Sequence, residues 1–253
     1  MLFILWDLLH TFFLDACLGL PEGEGSPQEC ARAIVKIEII TTTGKDSQLP
    51  PYVILALQRA GLGRRHYQEH ACTEALKLLQ DGANVEINLP PGTGKTLIGQ
   101  IIGCIWIREQ GKHNKVLCVL PSSNLRQQHH EYCLRWAAEP RLCTPLEITS
   151  QWVSSKRIWH QGLAEKADFW FILPELFCNA IQSAHITGEL LRRIGLVILD
   201  EYDSFSIGVL RAEGENLRFS KDFQRLLGIL DRPDYRYLLM SATPARKPRT
   251  DGP

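Results

Sequence analysis

Pro90-Pro91-Gly92-Thr93-Gly94-Lys95-Thr96 decides how the rest of the chain is read. A short strand-like run, Val85-Glu86-Ile87-Asn88-Leu89, precedes it, and a long apolar segment, Leu97 to Ile107, follows. Strand, glycine loop, Lys-Thr and helix in that order describe a phosphate-binding loop. Gly92 and Gly94 allow positive φ and a close approach of backbone to a ligand. The loop from Pro91 through Thr93 to Gly94 then aims successive N–H groups inward as an anion nest at a helix N-terminus. Lys95 reaches β- and γ-phosphates, and the Thr96 hydroxyl is a ligand for Mg²⁺. One position departs from the full pattern: Leu89 stands where its first glycine is usual.

At 253 residues the chain has room for one large domain, or for a domain and an extension. Apolar residues make up 45% and charged residues 22%, ordinary values for a soluble globular protein. With 28 basic and 28 acidic residues the formal net charge is zero, so global charge gives no argument for a nucleic-acid partner. None of the eight cysteines (Cys17, Cys30, Cys72, Cys104, Cys118, Cys133, Cys143, Cys178) forms a C-x-x-C pair, which leaves zinc spacing absent. Cys104, Cys118 and Cys178 sit in apolar runs and read as small core residues, which suits a reducing compartment, cytoplasmic or nuclear.

Met1 to Leu20 is apolar, yet no Lys or Arg occurs before Arg32 to form a basic n-region. Asp7 and Asp15 interrupt the run, and an acid at a bilayer centre costs about 2.5–3.5 kcal/mol. Asp7, Thr11 and Asp15 fall on one helical stripe, so this segment reads as a helix docked on protein, with no membrane partner expected. Pro21 to Pro27 reads as a turn or linker. Ala33 to Thr43 is rich in Ile, Val and Thr, as a strand would be. Pro50-Pro51 then breaks the chain, and residues 1–50 are set apart as a short helical N-terminal extension of unknown role.

Residues 51–253 read as one domain. Tyr52–Ala60 and His66–Leu79 are helical, the second ending at Asp81-Gly82. From there strands and helices alternate. Strands are expected at 85–89, 116–120, 146–149, 169–173, 196–199 and 237–240, and helices at 96–110, 123–136, 174–183, 189–194 and 221–230. This alternation predicts an α/β fold with a doubly wound, mostly parallel sheet. Ligands bind such sheets outside the carboxyl ends of the strands, where the Gly92–Thr96 loop falls.

A second motif, Leu196-Val197-Ile198-Leu199-Asp200-Glu201-Tyr202-Asp203, is an apolar strand ending in acids. A nucleotide site needs one carboxylate at Mg²⁺ and a second group beside it to orient or deprotonate water. Asp200 suits the first role and Glu201 the second. A third strand, Leu238-Leu239-Met240, ends in Ser241-Ala242-Thr243.

With these three elements in order, the chain resembles the first RecA-like domain of superfamily 2 helicases and translocases, of the DEAD/DEAH and type III restriction-motor kind. The loop at Pro90–Thr96 resembles motif I, Asp200-Glu201-Tyr202-Asp203 the D-E-x-D box, and Ser241-Ala242-Thr243 motif III. Arg65-His66-Tyr67-Gln68 resembles the element where a Gln reads adenine, which puts Gln68 near the base. Leu120-Pro121-Ser122-Ser123-Asn124-Leu125-Arg126-Gln127-Gln128 resembles motif Ia, which holds the nucleic-acid backbone and would use Pro121, Ser122 and Arg126. Leu173-Pro174-Glu175-Leu176 resembles motif Ib, with Leu173 where Thr is usual. Ser122, Ser123 and Asn124 equally suit a helix cap after a strand. Arg192-Arg193 and Lys156-Arg157 read as solvated faces.

The resemblance covers roughly residues 62–246. It implies that ATP and Mg²⁺ are the cofactors, that Lys95, Asp200 and Glu201 carry hydrolysis to ADP and phosphate, and that Asp203, Ser241 and Thr243 couple this to DNA or RNA. Superfamily 2 motors also have a second RecA-like lobe, which supplies an arginine finger. The sequence stops at Pro253, so this lobe is expected in another part or partner, with Arg246, Lys247 and Arg249 beginning a linker toward it. An AAA-type ATPase shares P-P-G-T-G-K-T but places its acidic box much closer to the loop than Asp200 lies here. It also carries an Asn where Ser241-Ala242-Thr243 ends its strand. A GTPase is disfavoured because Asn114-Lys115 lacks the Asp that reads guanine. A nucleotide-binding interaction protein without turnover remains open.

Overall fold

The computed structural model describes residues 34–38, 49–63, 65–138, 141–154, 157–207, 218–219 and 221–241. The helix expected over Met1–Leu20, together with Thr243, Arg246, Lys247 and Arg249, lies outside them. Seven parallel strands form one sheet in the order β1-β2-β9-β6-β3-β5-β4. They are β1 (Ile34–Glu38), β2 (Asn84–Asn88), β3 (Lys115–Val119), β4 (Pro145–Glu147), β5 (Phe169–Ile172), β6 (Ile194–Asp200) and β9 (Arg236–Ser241). A separate antiparallel pair joins β7 (Ser206–Ile207) to β8 (Arg218–Phe219). The first strand lies in the stretch that the sequence set apart as an extension, yet it pairs with β2 over five residues, Ile34 opposite Asn84 through Glu38 opposite Asn88. All six strands expected from Val85 onward are present, shifted by a residue or two at their ends.

Alternating side chains feed two cores, one on each face of the sheet. Val116 and Cys118 of β3, Phe169 and Phe171 of β5, Leu196 and Ile198 of β6, and Leu238 and Met240 of β9 face one way. Leu117, Val119, Trp170, Ile172, Val197, Leu199 and Leu239 face the other. A strand buried on both faces must be apolar at every position, which is why these runs show no alternation in the sequence. The first face is covered by α1 (Pro51–Arg59), α2 (His66–Gln80), α3 (Lys95–Glu109) and α4 (Ser123–Cys133), the last continuing into a π-helical turn at Leu134–Ala138. On the second face lie α5 (Ser150–Ser154), α6 (Arg157–Lys166), α7 (Pro174–Gln182), α8 (Gly188–Arg192) and α9 (Lys221–Leu230). Helices α5 and α6 are additions to the sequence reading. The first starts where the Thr149 hydroxyl accepts from Trp152 N–H at 3.1 Å.

The helix that follows the phosphate loop, α3, lies unusually close to the sheet. A Cβ built on Gly103 would meet the Phe169 ring at 2.7 Å, and one on Gly99 would meet the Met240 side chain at 2.6 Å. Four residues apart, the two glycines share the face turned to the strands. On the opposite side of the sheet, the ammonium of Lys115 is fully buried. It donates to the carbonyls of Ala164 and Glu165 at 3.0 Å and to that of Ala167, which ends α6 with a positive charge on its last carbonyls. Burial pushes this ammonium down to about 8, with Arg193 adding to the shift and Asp168 and Glu165 opposing it. Among the described residues no helix is long and apolar enough to cross a membrane.

Candidate active site

Strand β9 lies between β2 and β6, with Ser241 opposite Asn88 and Met240 opposite Asp200. The glycine loop after β2, Ser241 at the end of β9 and the acids after β6 therefore share one edge of the sheet. The loop takes the conformation that its glycines permit: φ is +76° at Gly92 and +81° at Gly94, the residue that caps α3. Thr93 closes the turn with its hydroxyl on the Pro90 carbonyl at 2.7 Å, and Leu89 N–H donates to the Ser241 carbonyl at 3.3 Å. Leu89, where the motif usually has glycine, is buried in the core. Pro91 and Gly92 are exposed.

Lys95 opens α3 and is 9% exposed. Its Nζ donates to the Leu89 carbonyl at 3.0 Å, folded across the loop that a phosphate would fill. Burial lowers its basicity, while Asp200, Glu201 and Asp203 act against that, which puts the ammonium in the field of all three acids. The Asp200 carboxyl is 3% exposed, and burial pushes it up to about 7. The Glu201 N–H, which donates to its Oδ1 at 2.9 Å, and Lys95 both oppose the shift. Glu201 itself stands at φ +50°, in the left-handed region, and is half-buried. For a non-glycine residue this backbone costs on the order of 1 kcal/mol, and such outliers gather at functional sites.

Thr96 Oγ1 and Asp200 Oδ2 both lie against one atom of a third residue, His129 Nε2 of α4, at 3.3 and 3.2 Å. Burial lowers His129 to about 4, so at neutral pH this is a contact of neutral imidazole with the carboxyl. Gln68 of α2 is also drawn in, its Nε2 donating to the Thr93 carbonyl at 2.9 Å. The neighbouring Tyr67 hydroxyl donates to the same carbonyl at 2.6 Å and accepts from Arg65 at 2.9 Å. Across the sheet edge, the Tyr202 hydroxyl donates to Glu86 Oε1 of β2 at 2.8 Å, and Asn88 Nδ2 donates to the same oxygen at 2.7 Å. This clasp joins the acidic box to the strand that carries the loop. Asp203 lies in the 3-10 turn Tyr202–Phe205, packed against β9.

Of the residues expected at the site, Gln68, Thr93, Gly94, Lys95, Thr96, Asp200, Glu201, Asp203 and Ser241 are gathered here. Pro121, Ser122 and Arg126 sit at the end of β3 in a different arrangement. The Ser122 hydroxyl accepts from Leu125 N–H at 3.3 Å and caps α4. Arg126 is 8% exposed, and its Nε donates to Glu147 at 2.9 Å. Sequence reasoning passed over Tyr67, Glu86, Gln100 and His129. Two of them left a signal: Gln100 is the one polar side chain in the run Leu97–Ile107, and Glu86 interrupts an apolar strand.

The model of the DEAD/DEAH box helicase family matches residues 65–250. That match begins at Arg65, beside Gln68, and runs past Ser241; it does not single out the restriction-motor kind. No curated protein matches the chain. Among solved structures, a DEAD box protein from the hyperthermophile Methanococcus jannaschii is similar, with a TM-score of 0.57 and 20% identity over 78% of this chain and 49% of that one. The yeast DEAD-box splicing factor Prp28 aligns with a TM-score of 0.58 and 15% identity, over 78% of this chain and 45% of that one. A variant of S. cerevisiae Dbp5 bound to RNA and ADP BeF3 aligns with a TM-score of 0.58 and 20% identity, over 79% and 46%. The chain thus spans about half the length of these structures. At such identity they speak for the fold, whereas the family model spans the loop, the acidic box and the strand after them, well over half of the chain: the chain belongs to the DEAD/DEAH box helicase family.

Proposed function

We propose that this chain is the ATP-binding lobe of a superfamily 2 helicase or translocase, which couples ATP hydrolysis to movement on DNA or RNA together with a second RecA-like lobe. One observation carries the reading. The glycine loop, Lys95, Thr96, Asp200, Glu201 and Ser241 lie at the adjacent carboxyl ends of β2, β6 and β9, where a parallel α/β sheet binds its ligand.

The donor set fits Mg²⁺. Thr96 Oγ1 and Asp200 Oδ2 are held near one another, each beside His129 Nε2, and a hydroxyl with a carboxylate is the oxygen chemistry that this ion takes beside nucleotide phosphates. Among the described residues no three His, Cys, Asp or Glu side chains form a metal centre, so the nucleotide would complete the ligand shell. Bound there, Mg²⁺ would neutralise charge on the β- and γ-phosphates. In this reading Lys95 exchanges the Leu89 carbonyl for phosphate oxygen, and the N–H groups of Gly92, Thr93 and Gly94 cradle the phosphates. Glu201 orients and deprotonates the attacking water. Gln68, held on the Thr93 carbonyl, links the loop to the adenine side. Asp203 and Ser241 couple the acidic box to the nucleic-acid face, with Thr243 as their proposed partner. Pro121 and Ser122 are offered to the nucleic-acid backbone; Arg126 would join them only by releasing Glu147. The S. cerevisiae Dbp5 variant bound to RNA and ADP BeF3 supports a nucleotide and an RNA strand as partners for this fold.

The test is phosphate release from ATP by a protein that carries both lobes, with RNA or DNA present. Glu201→Gln should lower turnover by two orders of magnitude or more while nucleotide stays bound. Equal turnover would remove Glu201 from the chemistry and favour a nucleotide-binding protein without hydrolysis.

A further inference from the structure

His129 is placed more deliberately than a packing residue needs to be. Its backbone carbonyl accepts from Gln100 Nε2 at 2.9 Å, and Gln100 Oε1 in turn accepts from Trp136 Nε1 at 2.7 Å. Gln100 is 2% exposed and Trp136 fully buried, so this amide sits in an otherwise apolar core with both ends satisfied. Gln100 also lies four residues after Thr96, on the same face of α3. One face of one helix therefore presents the hydroxyl and grips the backbone of the residue that meets it. The ring has little freedom to leave, and its Nε2 stands 3.3 Å from Thr96 Oγ1 and 3.2 Å from Asp200 Oδ2.

Each of these two separations from Nε2 is one that neighbouring ligand atoms around one ion would show. Two neighbouring ligands at about 2.1 Å from a six-coordinate cation lie about 3.0 Å apart, and slightly farther for longer bonds. We propose that His129 is a third protein ligand at the divalent-cation position, and that its imidazole nitrogen turns the preference of this site from Mg²⁺ toward Mn²⁺ and similar first-row ions. The inference rests on the nucleotide-site reading above. The chemistry follows from ligand type: oxygen-only sets suit Mg²⁺, whereas imidazole favours the transition ions in the Irving–Williams order. Ligation uses the Nε2 lone pair, with the ring proton on Nδ1. Gln100 and Trp136 are positioning residues, since they act on the cation only through His129.

The experiment uses the 253-residue chain with Mn²⁺ and a non-hydrolysable ATP analogue. Mn²⁺ affinity is read by EPR titration, and directly bound nitrogen by the ¹⁴N modulation of the electron spin echo. The expected result is modulation from one imidazole, lost in His129→Gln and in His129→Ala. In those variants the preference for Mn²⁺ over Mg²⁺ should fall about tenfold. The signal in the unsubstituted chain needs no variant, so a variant that fails to fold leaves the test intact. If Mn²⁺ binding depends on Asp200, shown by its loss in Asp200→Asn, but no nitrogen modulation appears, the ligand role of His129 is overturned and the nucleotide site stands. If Asp200→Asn leaves Mn²⁺ binding unchanged, the nucleotide-site reading falls, and this inference with it.

Discussion

Gly94 shows how much of the site is decided by single residues. It caps α3 at φ +81°, and a Cβ there would meet Gln68 Nε2 at 2.4 Å, the amide that holds the Thr93 carbonyl. Gly94→Ala should therefore lower affinity for an ATP analogue by tenfold or more, through backbone strain of about 1–3 kcal/mol and displacement of Gln68. In the double variant with Gln68→Ala the clash is gone and the strain is not, so affinity should stay low. Recovery to the level of Gln68→Ala alone would show that the glycine matters only for space. Positions like this were legible because the chemistry demands them in a fixed local order: glycines, then Lys95 and Thr96, then α3. His129 was not legible. It falls just past the motif-like stretch that ends at Gln128, and it reaches Thr96 and Asp200 only because α4 packs beside α3 on one face of the sheet. Arg126 shows the converse: a basic residue in a motif-like stretch that the fold pairs with Glu147.

At the scale of elements, the close seat of α3 on the sheet sets where the loop stands. Gly103→Ala pushes a methyl into the Phe169 ring, which stacks on Phe171 with centroids 4.8 Å apart and cannot move freely. The expected cost is about 1–3 kcal/mol of stability in urea denaturation, since overpacking a tight core shifts backbone. An unchanged midpoint would mean that α3 can rise from the sheet. Helix α6 supplies a pH test. With Lys115 near 8 when folded and 10.5 as its ordinary value, the unfolded chain binds more protons between those points. Stability then rises as pH increases through that window. Lys115→Met removes the group, so the stability of the parent relative to this variant should increase by on the order of 1 kcal/mol from about pH 7.5 to 9.5. A constant difference would show that the three carbonyls hold the ammonium without strain. Strands of β3, β5 and β6 were readable as unbroken apolar runs because both of their faces are covered. By contrast, α5 and α6 were missed: the polar run Ser154-Ser155-Lys156-Arg157, from the end of one to the start of the other, breaks the apolar spacing that marks a helix.

At the scale of the molecule, the described residues form a sheet between two helical layers with the candidate site along one edge, and β1 extends that sheet beyond the boundary drawn at residue 50. The order of sheet neighbours could not be read from the chain, since β9, last in sequence, inserts between β2 and β6. That insertion is what brings Ser241 beside both the loop and the acids. If a second lobe supplies the arginine finger, phosphate release by this chain alone should be about 10³-fold or more below that of a two-lobe protein. Brisk turnover by the single lobe would show that its own residues suffice. The central claim, that this edge is an ATP site built around Lys95, is tested most directly by equilibrium binding of a fluorescent ATP analogue with Mg²⁺ to the chain and to Lys95→Ala. The account predicts affinity at least tenfold weaker in the variant; equal affinity in a folded Lys95→Ala protein would contradict it.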